Sequence, residues 1–139
     1  MADIISFDTG LKEFELNGAV TVKFNPTSVK FAEQVFDVFD AIGKVYEEYR
    51  DEIAGVEDAK AFDLTHKIEH EIIEALNNCF NCDISGLFVD IGPVDIANGL
   101  PVWMNLMLAV IDTLDSSLAE EKKKTNPRIK KYTEKYKRR

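Results

Sequence analysis

The 139-residue chain is 45% hydrophobic and 30% charged, a balance that excludes wholesale disorder and fits one domain with its own core. Two cysteines are too few for a disulfide framework, so the composition reads as that of a reducing compartment. Residues 122–139 carry ten Lys/Arg against one acid, whereas residues 1–121 carry seven bases against 24 acids, so the net charge of −8 divides into an acidic body and a basic tail.

Lys12 to Phe24 is the clearest local signal. Phe14 and Leu16 alternate with charged residues before Asn17-Gly18, and Val20, Val22 and Phe24 alternate with small or polar residues after it. Asn-Gly supplies the positive φ angles of a type I′ hairpin turn. Each arm has one apolar face, so the hairpin must lie on something else. Asn25-Pro26-Thr27-Ser28 then reads as a helix start, with a capping side chain and a proline pre-set for the first turn. Phe31, Val35, Val38, Phe39, Ile42, Val45, Tyr46, Tyr49 and Ile53 recur at steps of three and four, one apolar stripe of a long helix ending near Gly55. Gly43 inside it costs about 1 kcal/mol relative to alanine and is expected to serve close packing or a bend.

A second helix is expected from about Glu57 to Asn78, with Phe62, Thr65, Ile68, Ile72, Leu76 and Cys79 on one side. Residues 80–100 are broken by Asn81, Gly86, Gly92, Pro93, Asn98 and Gly99. Pro101 opens a third helix carrying Trp103, Leu106, Met107, Val110, Ile111, Leu114 and Leu118. Its first half, Val102 to Ile111, is apolar nearly all round, which calls for a central place in the core or cover from a sister subunit in a homo-oligomer.

These elements predict a mainly α fold: an N-terminal β-hairpin packed on a small bundle of about three amphipathic helices. They form a single acidic domain over residues 1–121, followed by a basic tail, 122–139, expected to be mobile or helical only when bound. Met1 to Ser6 lacks the charged start and long apolar run of a signal peptide. The longest uncharged stretch, Ile96 to Ile111, has 16 residues and includes Asn98, Gly99, Pro101 and Asn105, short of the roughly 20 that a membrane span needs. The expectation is a soluble cytoplasmic protein without a membrane partner.

His66-Lys67-Ile68-Glu69-His70 matches H-x-x-E-H, in which two histidines one turn apart hold zinc and the glutamate activates water. The third ligand and the larger domain of such peptidases are missing. On the helical wheel both histidines fall beside the apolar stripe, where such rings lie half-buried. Cys79-Phe80-Asn81-Cys82 adds two thiols, and His66, His70, Cys79 and Cys82 together make a conceivable zinc set for a small regulatory module. A continuous helix separates His70 from Cys79 by about 13 Å along its axis, so only a break near Asn77-Asn78 would gather them. No metal or other cofactor is favoured. No Ser/His/Asp set, G-x-G-x-x-G or P-loop occurs, and no enzymatic activity is expected. The tail, with Tyr132 and Tyr136 for stacking, offers a second alternative, a nucleic-acid-associated protein. The acidic body repels a phosphate backbone and argues against it.

The hairpin followed by Phe24-Asn25-Pro26-Thr27 and an aromatic-rich helix resembles the tail assembly chaperone-like proteins of long-tailed phages and prophages of Gram-positive bacteria. Asp95 to Asn105, with Gly99-Leu100-Pro101 and Asn105, resembles the segment opening the last helix of that group. The resemblance implies a non-enzymatic protein of the bacterial host cytoplasm, absent from the mature virion. Such a protein coats the tape-measure protein and helps recruit tail-tube subunits around it. The apolar helix faces are the expected binding surface, with Phe39, Tyr46 and Trp103 as anchors, because aromatics carry much of interface energy.

Overall fold

A computed structural model describes residues 2–124 of the chain. Its mainly α fold is the one expected: a β-hairpin, β1 (Lys12–Leu16) and β2 (Val20–Phe24), then three helices, α1 (Val29–Ile53), α2 (Asp58–Phe80) and α3 (Val102–Lys123). Between α2 and α3 lie a 3-10 turn, Ser85–Phe88, and a second, minimal hairpin, β3 (Ile96–Ala97) with β4 (Leu100–Pro101).

The first hairpin has a register that the Asn-Gly turn alone does not set. Asn17 and Gly18 take positive φ, 52° and 69°, and Ala19 N–H donates to the Leu16 carbonyl at 3.0 Å. Leu16 nevertheless pairs with Val20, and Phe14 with Val22. A two-residue loop would have put Leu16 opposite Ala19 and Phe14 opposite Thr21. Ala19 is the extra residue that brings both apolar sets to one face. From that face Phe24 stacks on Phe14 (4.4 Å between ring centres) and on Phe31 of α1 (4.3 Å), with Phe80 of α2 at 6.4 Å. The hairpin is thereby pinned to both helices.

Asn25 joins hairpin to helix. Its carbonyl accepts from Ser28 N–H, closing a turn through Pro26, and its Oδ1 accepts from Thr27 N and Oγ1, each at 2.8 Å. Pro26 therefore sits before α1 rather than in its first turn, and Ser28 is the N-cap, its Oγ accepting from Phe31 N–H. α1 runs unbroken through Gly43, where nothing lies within 4 Å of the point at which a side chain would begin, so the expected close packing is absent. α2 lies against α1, tied by Tyr49 Oη and Thr65 Oγ1 at 2.7 Å. Thr65 spends its one hydroxyl proton on the Ala61 carbonyl, so Tyr49 is the donor.

α2 stops in a Schellman turn. Asn81 is left-handed (φ 56°), Cys82 N–H reaches back to the Asn77 carbonyl at 3.2 Å, and Asn77 Oδ1 accepts from Ile84 N–H at 2.7 Å. α3 starts with no side-chain cap, because its N-cap is Pro101. The carbonyls of Asp95 and Pro93 accept from Val102 and Trp103 N–H instead, at 2.8 and 2.9 Å. The β3–β4 hairpin, turning at Asn98 (φ 54°) and Gly99 (φ 79°), holds those carbonyls in place, and Asn105 Nδ2 donates to Ala97 at 2.8 Å.

The core comprises Val22, Phe24, Phe31, Val35, Ile42, Ile68, Ile72, Leu76, Phe80, Ile84, Trp103, Met107, Val110 and Leu114 among others. Phe62, placed by periodicity in the α2 stripe, is exposed. By length and composition alone α3 would pass for a membrane span. Its Trp103, Met107, Val110 and Leu114 are nevertheless buried, as in the core helix of a folded domain. α3 also carries the chain past residue 121: Lys122 and Lys123 form its last turn, where positive charge complements the helix dipole. The rest of the basic tail, 125–139, with Tyr132 and Tyr136, lies outside the described residues.

Candidate partner-binding groove

The all-round apolarity of α3 is resolved by two faces with different fates. One face, Trp103, Met107, Val110 and Leu114, is buried. The adjoining face, Val102, Leu106, Ala109 and Thr113, recurs at helical spacing and lines an open groove of about 520 Å³, with Val110 on the border between the two faces. The other wall is the first hairpin, through Phe14, Glu15 and Leu16 of β1, Asn17 of its turn and Phe24 of β2. Phe14, Glu15 and Leu16 are consecutive strand residues whose side chains alternate between the two faces, so the groove reaches the strand's edge as well as the face that carries Phe24. Among the described residues that edge of β1 has no partner strand, the sheet being β1 and β2.

Leu87, Phe88 and Ile91 also line the groove. They are set there by the turn after α2: Asp83 Oδ1 accepts from Ser85 N–H at 2.9 Å, and Leu87 N–H donates to Ile84. That hydrogen bond from Ser85 holds the Asp83 carboxyl below its ordinary pKa. Glu15 is the one ionisable residue lining the groove. Such a surface suits an apolar segment of a partner better than a polar metabolite.

A second depression, about 600 Å³, lies between the C-terminal half of α1 and the β3–β4 hairpin. Tyr46 and Trp103 border it together with Glu47, Arg50, Ile53 and Leu100. Among the anchors expected from sequence, Trp103 is wholly buried, and Phe39 and Tyr46 are half-buried. Their rings stand edge-on to the indole, 5.6 and 5.8 Å between centres. Trp103 is therefore a core residue of the chain, with Phe39 and Tyr46 as its supports, and it is no exposed anchor. Its Nε1 has no hydrogen-bond partner among the described residues.

The zinc set is not assembled. α2 is continuous from Asp58 to Phe80, so the helix break that would gather His66 and His70 with the thiols does not occur near Asn77-Asn78. Both histidines are exposed instead of half-buried, and His70 Nε2 faces Glu74 at 4.0 Å. Cys79 is buried, which pushes its thiol up to about 11, and Cys82 follows the helix end. Among the described residues no group of three or more His, Cys, Asp or Glu side chains is placed to hold a metal ion.

Comparison with protein-family models, with known proteins and with solved structures gives no match. The groove is not visible to periodicity because five separate stretches build it, 14–17, 24, 87–91, 97 and 102–113. The one sequence signal was the second apolar face of α3.

Proposed function

We propose that the protein is a non-enzymatic assembly chaperone of the phage-tail type, whose groove between β1 and α3 receives an apolar helical segment of a tape-measure protein. The observation that supports this reading is an open, nearly uncharged groove on an otherwise acidic body. Apolar lining supplies attraction for a long aggregation-prone helix, and net negative charge keeps the loaded complex soluble. The resemblance of the hairpin and of the segment 95–105 to tail assembly chaperones supplies the identity of that partner. Tail-tube subunits would then be recruited to the coated protein in the host cytoplasm, and the chaperone would be absent from the finished virion.

The test is affinity capture from cells producing the native phage or prophage, followed by mass spectrometry. A tape-measure protein recovered at near-stoichiometric yield is the expected result. Bait alone, with the phage proteins demonstrably expressed, refutes the reading.

A further inference from the structure

The residues before β1 form a second unpartnered apolar surface on the same chain. Residues 2–11 are in neither helix nor strand, and Ile4, Ile5 and Phe7 are 90%, 87% and 77% exposed. Three such side chains in water within four residues are costly unless something covers them. In an extended arm Ile5 and Phe7 share one face, two residues apart. Phe14 and Leu16, also two apart, share one face of β1 and border the groove beside its open edge.

The arm is fastened where it meets the hairpin. Asn25 Nδ2 donates to the Thr9 carbonyl, and Gly10 N–H donates to Asp8 Oδ1, each at 2.8 Å. Thr9 and Gly10 are the residues that would have to turn if the arm folded back on β1. Gly10 is at φ +74°, with the Asn25 side chain 2.6 Å from where a Cβ would be, so this fastening has a tight fit. Because Lys12 pairs with Phe24 and Asn25 comes next, the chain leaves at the end of the hairpin remote from the Asn17 turn. The groove is lined by Asn17 at that turn and extends to Phe24 at the arm's end of the hairpin.

We infer that the arm of a second copy of this chain occupies the groove, adding a strand to the open edge of β1 and seating Ile5 and Phe7 between β1 and α3. Each chain has one arm and one groove, so reciprocal exchange closes as a two-fold dimer. The exchange keeps two apolar surfaces covered until a partner segment displaces the arm. It concerns the groove alone and does not depend on which partner the groove serves.

Sedimentation equilibrium of the full chain tests it without any partner. Wild type should associate with rising concentration. Ile5→Asp/Phe7→Asp should weaken association by roughly tenfold or more with an unchanged melting temperature, since both side chains are largely exposed among the described residues. Ala109→Glu, at an exposed position lining the groove, should weaken it equally; Thr113→Glu serves if Ala109→Glu lowers the melting temperature. An equimolar mixture of the arm variant and the groove variant should pair again, because one intact arm then meets one intact groove. A wild-type monomer at all concentrations overturns the inference, as does association that survives either the arm or the groove substitution. Loss of the tape-measure interaction with arm exchange intact would refute the proposed function only.

Discussion

Asn25 donates from its side-chain amide to the carbonyl of Thr9, sixteen residues earlier, at 2.8 Å. The same amide accepts from Thr27 N and Oγ1, so one side chain fixes both the entry to β1 and the entry to α1. Asn25→Ala should cost about 1–2 kcal/mol. Asn25→Asp keeps the acceptor toward Thr27 and removes the donor toward Thr9, and should cost about half as much. Thermal melts measure the difference, and amide exchange at Gly10 and Leu11 should speed up in both variants.

Trp103 packs a full indole under Phe39 and Tyr46 while leaving Nε1 without a partner. Trp103→Ala should therefore lose about 3–5 kcal/mol. Trp103→Phe removes the unsatisfied donor together with part of the ring, so the two effects oppose and the loss should stay below about 2 kcal/mol. Denaturant titration of both variants checks this, and a loss in Trp103→Phe as large as that in Trp103→Ala would contradict it.

Two glycines should answer alanine with opposite signs. Gly43 lies inside α1 with open space around it, so Gly43→Ala should stabilise by about 0.5–1 kcal/mol. Gly99, at φ +79°, turns the hairpin that caps α3, and Gly99→Ala should destabilise by about 1–2 kcal/mol despite equally open space. Melting temperatures of the two variants should move apart.

Burial holds the Cys79 thiol protonated, at about 11 against an ordinary 9.0. At neutral pH a thiol reagent should modify Cys82, which is less buried, well before Cys79. The raised value also carries a pH dependence. The folded state binds the thiol proton more tightly than the unfolded state does, so the stability it contributes is complete below pH 9.0 and drains away as pH rises toward about 11. In Cys79→Ala that alkaline loss should be shallower.

The periodicities of two and of about 3.6 made the hairpin and the three helices legible, and the Asn17-Gly18 turn stood out between alternating strands. Register was harder to read. A two-residue turn and the apolar alternation conflict at Ala19, and packing of Phe14 and Phe24 on α1 and α2 decides for the alternation. The same dipeptide at Asn98-Gly99 turns β3 into β4, but two-residue strands offer no alternation to read. Their use lies in capping α3, where Pro101 cannot, and the carbonyls of Pro93 and Asp95 that do so carry no side-chain signature. The expected anchors Phe39, Tyr46 and Trp103 were chosen for aromatic character, which marks a core as readily as an interface. The groove needed the helix wheel of α3 to be split between a buried face and an open one, a division that depends on where β1 stands. The set of His66, His70, Cys79 and Cys82 is not gathered for a simpler reason: α2 does not break.

The central claim is that the face formed by Leu106, Ala109 and Thr113, opposite β1, receives an apolar partner segment. Parallel captures from phage-producing cells with wild type and with Ala109→Glu, at matched folding by thermal melt, test it most directly. The account predicts that the tape-measure protein comes down with wild type and is lost with Ala109→Glu. Equal capture by both chains would contradict it and place the binding surface elsewhere.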